Sequence, residues 1–310
     1  MNYLVTGGAG FIGSHLVDRL LLDKHDVTVI DDFSTGQVEN LASRRVKIIT
    51  AHITDDLSSI FKKYQFDVVF HLAAIPRVQL SIDHPAKTHH TNINGVFNLL
   101  MACKEFKVKR FVFASSSSVY GNQAKLPLEE TMIPNPVSPY ALHKLVGEQY
   151  CHLFNSIYGL DTVCLRYFNV YGPRQNPSGD YSNLIPKFIV KLQKNEVPQI
   201  RGTGDNTRDY TFVDDVVEAT LWAGKLTNKK VIGQVINIGG GKNHSINEVA
   251  KRIVALTKSE ARPTHGPAVI EPKDTLANIK KAKKLLGWKP RVSFEEGLRR
   301  TVSYFSKTAS

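Results

Sequence analysis

Short β-branched apolar runs recur through the first half of the chain, at 3–6, 27–30, 46–50, 68–72, 111–114 and 162–165, and longer helical patterns separate them. That alternation predicts βαβ units and a parallel sheet. The runs are continuously apolar, as expected of strands covered by helices on both faces. Between the first two, Phe11, Ile12, Leu16, Val17, Leu20 and Leu21 recur at three- and four-residue spacing, which predicts a helix over 11–22. After about Asn169 the texture changes to loops rich in Pro, Gly and Asn, with helical patterns near 184–194, 213–225, 246–256 and 279–286. A strand-like run at 235–238 suits a return to the main sheet. The expected organisation is therefore a main unit of residues 1–168 and 212–238, with a smaller lobe of 169–211 and 239–310. No internal repeat or low-complexity segment is visible.

The segment Thr6-Gly7-Gly8-Ala9-Gly10-Phe11-Ile12-Gly13 directly follows the first run and opens the first helical stripe. A bare glycine string is weak evidence, but strand before and helix after is the context a dinucleotide loop requires. Glycines let the chain turn tightly and approach a pyrophosphate, and the helix N-terminus offers free N–H groups. Asp31 ends the second run, where a carboxylate can accept hydrogen bonds from an adenosine ribose and repel a 2′-phosphate. With Asp32 beside it and no adjacent arginine, NAD is expected rather than NADP; the plain alternative is that Asp31 is a turn residue.

Tyr140 and Lys144 are one turn apart in a segment that reads as the start of a helix after Pro139. An ammonium beside a phenol favours the phenolate and suits a general base. Alone, that pair is a common coincidence. It gains weight from the hydroxyl cluster Ser115-Ser116-Ser117-Ser118 at the end of the 111–114 run, because ligands of open α/β sheets bind at carboxyl ends of strands. Most of those serines are expected to be ordinary turn hydroxyls.

Composition removes other classes. A chain of 310 residues with 42% hydrophobic and 22% charged residues is globular rather than disordered or fibrous. The longest apolar stretches fall far short of the ~20 residues a membrane-spanning helix needs. Met1 leads straight into a strand pattern, leaving no room for a signal peptide, so the cytoplasm is the expected location. Cys103, Cys151 and Cys164 form no CxxC pair and are read as small hydrophobes, with no metal site expected. The net charge of +12 raises the question of nucleic acid. No recognition motif supports it, and the dense run Lys280, Lys281, Lys283 and Lys284 reads as a solvated helix face.

Taken together, TGGAGFIGSHL at the start, HLAA at 71–74, SSSSVYG at 115–121, YALHK at 140–144, LRYFNVYGPRQ at 165–175, TRDYTFVDD at 207–215 and LLGWKP at 285–290 resemble the extended short-chain dehydrogenase/reductases. Within them the chain is similar to the UDP-glucose 4-epimerase group of NAD-dependent epimerases and dehydratases, over nearly its full length. The resemblance implies a Rossmann-type doubly wound parallel sheet with a smaller, discontinuous α/β substrate-binding lobe. It also implies NAD as cofactor, a UDP-sugar as substrate, and a homodimer paired through helices around 85–107 and 139–158, without a nucleic-acid or membrane partner. The implied reaction is transient oxidation at carbon 4 through a 4-keto sugar, with no net redox change.

By the same resemblance Ser116 is the catalytic hydroxyl, Tyr140 the base, and Lys144 orients ribose and lowers the tyrosine pKa. Gly7, Gly10, Phe11, Ile12, Gly13, Asp31 and Asp32 would hold the dinucleotide, with Ile53, Leu72, Ala73, Ala74 and Phe168 completing its site. On the substrate side, Asn92, Ser116 and Ser117 would lie near the sugar, Asn169 and Asn183 near the diphosphate, Leu184 at the uracil, and Arg208 on phosphate. Thr275, small where a bulky tyrosine would close the site, implies room for an N-acetyl group.

Related 4,6-dehydratases carry an Asp-Glu pair, and UDP-glucuronate decarboxylases a Glu, just before the VYG motif, where this chain has Ser117 and Ser118. Those reactions, a UDP-glucuronate epimerase and a non-catalytic NAD-sensing protein are the rival readings. Two departures from the family pattern stand out. Ala268-Val269-Ile270 replaces a diphosphate-gripping arginine, leaving that charge to Arg208 with help from Lys273 or Arg262. His52 replaces an adenine-contacting aspartate and is read as a histidine without ligand role.

Overall fold

The computed structural model describes residues 1–41, 46–177, 183–268 and 273–308. The apolar runs form β1 (Asn2–Thr6), β2 (Asp26–Asp31), β3 (Lys47–Thr50), β4 (Val68–His71), β5 (Arg110–Ser116), β6 (Asp161–Tyr167) and β7 (Gln234–Ile238). All seven pair in parallel, in the order β7-β6-β5-β4-β1-β2-β3. This is a doubly wound Rossmann-type sheet, and its direction of growth reverses between β1 and β4, which opens a crevice at their carboxyl ends.

Alternate strand residues feed two cores. Val5, Val29, Phe70, Val112 and Leu165 join one cluster, whereas Leu4, Ile30, Val69, Phe113 and Cys164 join the other. The two-residue period of a strand thus explains why these runs are apolar at every position. On the first face lie α1 (Phe11–Leu22) and, late in the chain, Val213–Gly224; on the second lie Ser58–Tyr64, α2 (Gly95–Glu105) and α3 (Pro139–Tyr158). The three cysteines are buried.

Helix α3 runs for 20 residues because its ends are well marked. The Ser138 hydroxyl accepts from Ala141 N at 3.2 Å, Pro139 opens the first turn, and Gly159 closes it at φ +69°. Gly147 sits where a Cβ would lie 2.5 Å from the Phe113 ring, so the helix packs close against β5.

Beyond β6 the chain builds a second layer from Leu184–Gln193, Ile246–Thr257 and Phe294–Thr308, with three two-stranded ladders, one of which pairs Thr207–Asp209 antiparallel to Asn243–Ser245. The LLGWKP segment ties this layer to the first: the buried Trp288 indole donates to Asp215 O at 2.9 Å, and the Asp215 carboxylate accepts from Arg291 N and Val292 N. In the lysine run, Lys280, Lys283 and Lys284 are exposed. Lys281 departs from the expected solvated face, being half-buried, with burial lowering its pKa and Glu130 opposing that shift. Among the described residues no helix is long and apolar enough to cross a membrane.

Candidate active site

The glycine loop sits at the carboxyl end of β1. Gly7 has φ +69°, and a Cβ there would lie 2.7 Å from Ala73 N, so Leu72 and Ala73 press directly on the loop. A Cβ on Gly13 would lie 2.1 Å from Gly7 O, which brings α1 hard against the turn. Gly10 caps α1 without any side-chain hydrogen bond, leaving the first-turn N–H groups, from Phe11 and Ile12 onward, without a side-chain cap. Ala74 follows at the same strand end, and Ile53 is buried against Gly95.

Asp31 ends β2 with its carboxylate buried between Ala9 N, which donates to Oδ2 at 2.8 Å, and Phe33 N, which donates to Oδ1 at 2.9 Å. Desolvation raises its pKa, and those two N–H groups hold it down. Asp32 caps the following turn by accepting from Ser34 N and Ser34 Oγ. Asp31 and Asp32 thus both hold turn N–H groups two residues on. His52 bonds Thr54 through Nδ1 at 2.6 Å and stacks on His90 at 5.7 Å between ring centroids.

The candidate reaction centre lies where β5 meets α3. Tyr140 is half-buried, and its phenol interacts with Ser116. Burial pushes its phenol above the ordinary value, while the Ser116 interaction and the nearby Arg77 guanidinium pull it back. The Lys144 ammonium donates to Ala114 O at 2.6 Å and lies 5.9 Å from the centre of the Tyr140 ring. Burial lowers the Lys144 pKa to about 8, against the pull of Glu148. His71, pushed down to about 3 by burial and Lys144, and His143, at about 4, stay neutral beside it. Arg77 is the residue that sequence reasoning missed. It caps the short helix Val78–Asp83, whose Ser81 hydroxyl accepts from Tyr140 N at 3.0 Å.

On the substrate side the structure draws Asn169, Arg208 and Thr275 together. Asn169 Nδ2 donates to Asp209 O and Thr275 Oγ1, and Asp209 N donates to Thr275 Oγ1. Arg208 is 8% exposed and donates through Nη1 to Thr207 O and Lys273 O. Asp209 is a hub not foreseen from the sequence: its carboxylate accepts from Gly240 N, Gly241 N and Ala277 N, and burial raises its pKa to about 6. Asn183 caps Leu184–Gln193 without a side-chain bond and is exposed, with Leu184 opening the helix.

Three residues expected near the ligands have the following protein partners. Asn92 is buried, and both ends of its amide bond the backbone of Ile75, at 2.8 and 3.1 Å. Phe168 is fully buried in a small core with Val119, Tyr120, Leu128 and Ala277. Arg262 folds Nη1 onto the carbonyls of Ser259, Glu260 and Ala261, so its own turn occupies that nitrogen rather than a phosphate. Ser117 opens a short 3-10 turn, and Ser118 N donates to Ser116 Oγ. Val269 and Ile270, at the site of the missing arginine, lie outside the described residues.

Residues 3–239 match the NAD dependent epimerase/dehydratase family. The chain belongs to this family. A putative UDP-glucose 4-epimerase of Methanocaldococcus jannaschii is 40% identical over 309 residues, covering 97% of each chain. The UDP-glucose 4-epimerase of Thermotoga maritima, solved with UDP-glucose, superposes with a TM-score of 0.96 at 41% identity over all of both chains. The UDP-glucuronic acid 4-epimerase of Bacillus cereus, solved with UDP-glucuronic acid and NAD, gives 0.92 at 37% identity, covering 99% of this chain and 100% of that one.

The protein is an enzyme of this family, and NAD is its cofactor. The cradle fits it. Gly7 and Gly13 let the loop backbone pack directly on Ala73 and on α1, the α1 turn lacks a side-chain cap, and Asp31 ends β2 with a carboxylate of the kind that would bind a ribose diol and repel a 2′-phosphate.

Proposed function

We propose that this enzyme is a UDP-hexose 4-epimerase, an isomerase that interconverts UDP-glucose with UDP-galactose and also accepts the N-acetylated pair. The observation that carries the reading is the placing of Ser116 at the end of β5 beside Tyr140 in the first turn of α3, with serines at 117 and 118 in place of acid/base carboxylates. Glu148, the carboxylate that accepts from Ser115, is also held by Arg166 inside the core and is not free for elimination or decarboxylation.

When bound, NAD supplies a reversible two-electron acceptor. Tyr140 takes the proton of the sugar 4-hydroxyl and later returns it, and Ser116 steadies the same oxygen. Lys144, charged below about pH 8, adds a cation at the ribose side. Asn169, Asn183 and Arg208 grip the diphosphate, and Leu184 borders the uracil. Thr275 leaves room for an acetamido group, although its hydroxyl also ties Asn169 to Asp209.

Proton NMR of the purified enzyme with UDP-glucose and with UDP-N-acetylglucosamine tests this: the 4-epimer accumulates without net NADH. Tyr140→Phe lowers kcat by roughly 10³-fold. A deoxy-keto product or carbon dioxide would move the assignment to a dehydratase or decarboxylase.

Apolar side chains on α2 and α3 stand exposed, including Phe97 at 42%, Met101 at 40%, Leu153 at 45% and Ile157 at 64%. They support a homodimer paired through these helices. Sedimentation should give twice the chain mass, and Ile157→Glu should shift it to monomer.

A further inference from the structure

Behind the hydroxyl cluster lies a buried ion pair that the proposed chemistry leaves unused. Glu148 and Arg166 are each 3% exposed. Arg166 Nε and Nη2 donate to the two carboxylate oxygens at 2.9 and 2.7 Å, and the Arg166 guanidinium lies 4.6 Å over the Tyr120 ring. Tyr120 in turn donates to Asn237 on β7 at 2.7 Å. The chain of contacts therefore crosses β5, β6, β7 and α3.

Stability does not account for it. Desolvating two ions costs several kcal/mol each, and well-packed apolar replacements are often neutral or stabilising. Position does. Tyr140, Lys144 and Glu148 are spaced at i, i+4 and i+8, on one stripe of α3. They face three consecutive strand residues: Lys144 donates to Ala114 O, Glu148 accepts from Ser115 Oγ, and Tyr140 interacts with Ser116. Ser115 turns to α3, where Glu148 holds its hydroxyl, and Ser116 follows it as the last residue of β5, so anchoring one residue fixes the backbone that carries the next.

Lys144 is faced by Tyr140, His143, Glu148 and Cys151 from its own helix and by His71 from β4. Of these, Glu148 is the group that holds the ammonium charged most strongly.

We propose that Glu148, locked by Arg166, is the positioning residue of this site: it aims Ser116 through Ser115 and keeps the Lys144 ammonium in place for the dinucleotide. The idea rests on the reading of Ser116, Tyr140 and Lys144 as the reacting set.

The test compares Glu148→Gln, the double variant Glu148→Leu/Arg166→Met, and Ser115→Ala with wild-type enzyme. Glu148→Gln leaves a buried guanidinium without its counter-ion and melts well below wild type. The double variant recovers the melting temperature, yet its kcat stays at least about tenfold low with KM little changed. Its alkaline limb moves to lower pH, because the carboxylate that favours the ammonium is gone.

Ser115→Ala folds as wild type and loses kcat severalfold, without moving that limb. A double variant with wild-type kcat and pH profile, or Ser115→Ala with unchanged kcat, overturns the proposal. If wild-type enzyme turns over no UDP-sugar, the epimerase reading fails on its own. NAD titrations against pH then decide the positioning role: loss of affinity at lower pH in the double variant supports it, and an unchanged pH dependence overturns it.

Discussion

Around the ends of β1 and β2 the backbone is held by neighbouring strands and by glycines that let segments touch, as where Gly7 meets Ala73 and Gly13 meets Gly7. Around residues 207–277 the same task falls to carboxylates. Asp209 gathers N–H groups from Gly240, Gly241 and Ala277, and Asp215 gathers those of Arg291 and Val292. The first region can present bare backbone to a pyrophosphate because no side chain intervenes. The second brings residues more than sixty positions apart to one place, and because burial shifts Asp209 further than Asp31 of the first region, its stability depends more strongly on pH.

The comparison is broken most directly in the first region. Gly13→Ala places a methyl 2.1 Å from Gly7 O, and the clash is with backbone that cannot rotate away. Overpacking of this kind costs about 1–3 kcal/mol. The turn must open, and calorimetric titration should show NAD affinity falling at least about tenfold, the equivalent of the lower half of that range. Binding within twofold of wild type would mean that the loop tolerates side chains and that backbone contact is not its function.

In the second region Asp209→Asn leaves a single acceptor oxygen and an amide nitrogen facing N–H donors, a loss of about 1–3 kcal/mol for each group left unpaired. Its pH signature is specific. Burial raises the Asp209 pKa to about 6, so its contribution to stability is fully present below the unfolded value of 3.8 and is lost as pH rises through the folded value. The loss is on the order of 3 kcal/mol. Asp209→Asn should therefore destabilise most near pH 4 and progressively less toward pH 7, as read from melting temperatures of both proteins across that range. A constant difference would show that the carboxylate does not titrate there.

The same contrast explains what could be read from the sequence. The sheet was legible because its inner strands are buried on both faces and so carry nearly continuous apolar runs; Phe11–Leu22 was read to the residue because its stripe is uninterrupted. The placement of the glycine loop, Ser116 and Tyr140 was legible because each sits beside a strand end. The hub at Asp209 was not, since its partners come from separate loops with no shared spacing. The bonds of Asn92 to Ile75 were not legible either, since they depend on the π-helical turn His90–Asn94. Thr275 was read for its size alone, while its hydroxyl joins Asn169 to Asp209.

Arg77 sharpens the comparison at its smallest scale, because it acts on the reaction centre through charge and not through packing. A usable signal existed: it is a cation shortly after the carboxyl end of β4, beside the crevice where open α/β sheets bind ligands. Its guanidinium lowers the Tyr140 pKa, opposing the larger effect of burial, and burial lowers the arginine's own. The base must be ionised to take the 4-hydroxyl proton, so removing the cation raises the phenol pKa and depletes the active form on the acid side. Arg77→Gln should therefore move the acid limb of kcat/KM upward by less than about one pH unit, with a severalfold loss near neutral pH that recovers in alkali. A pH-independent loss would instead assign Arg77 to holding the substrate, and a downward shift of the limb would contradict the electrostatic reading of this corner of the site.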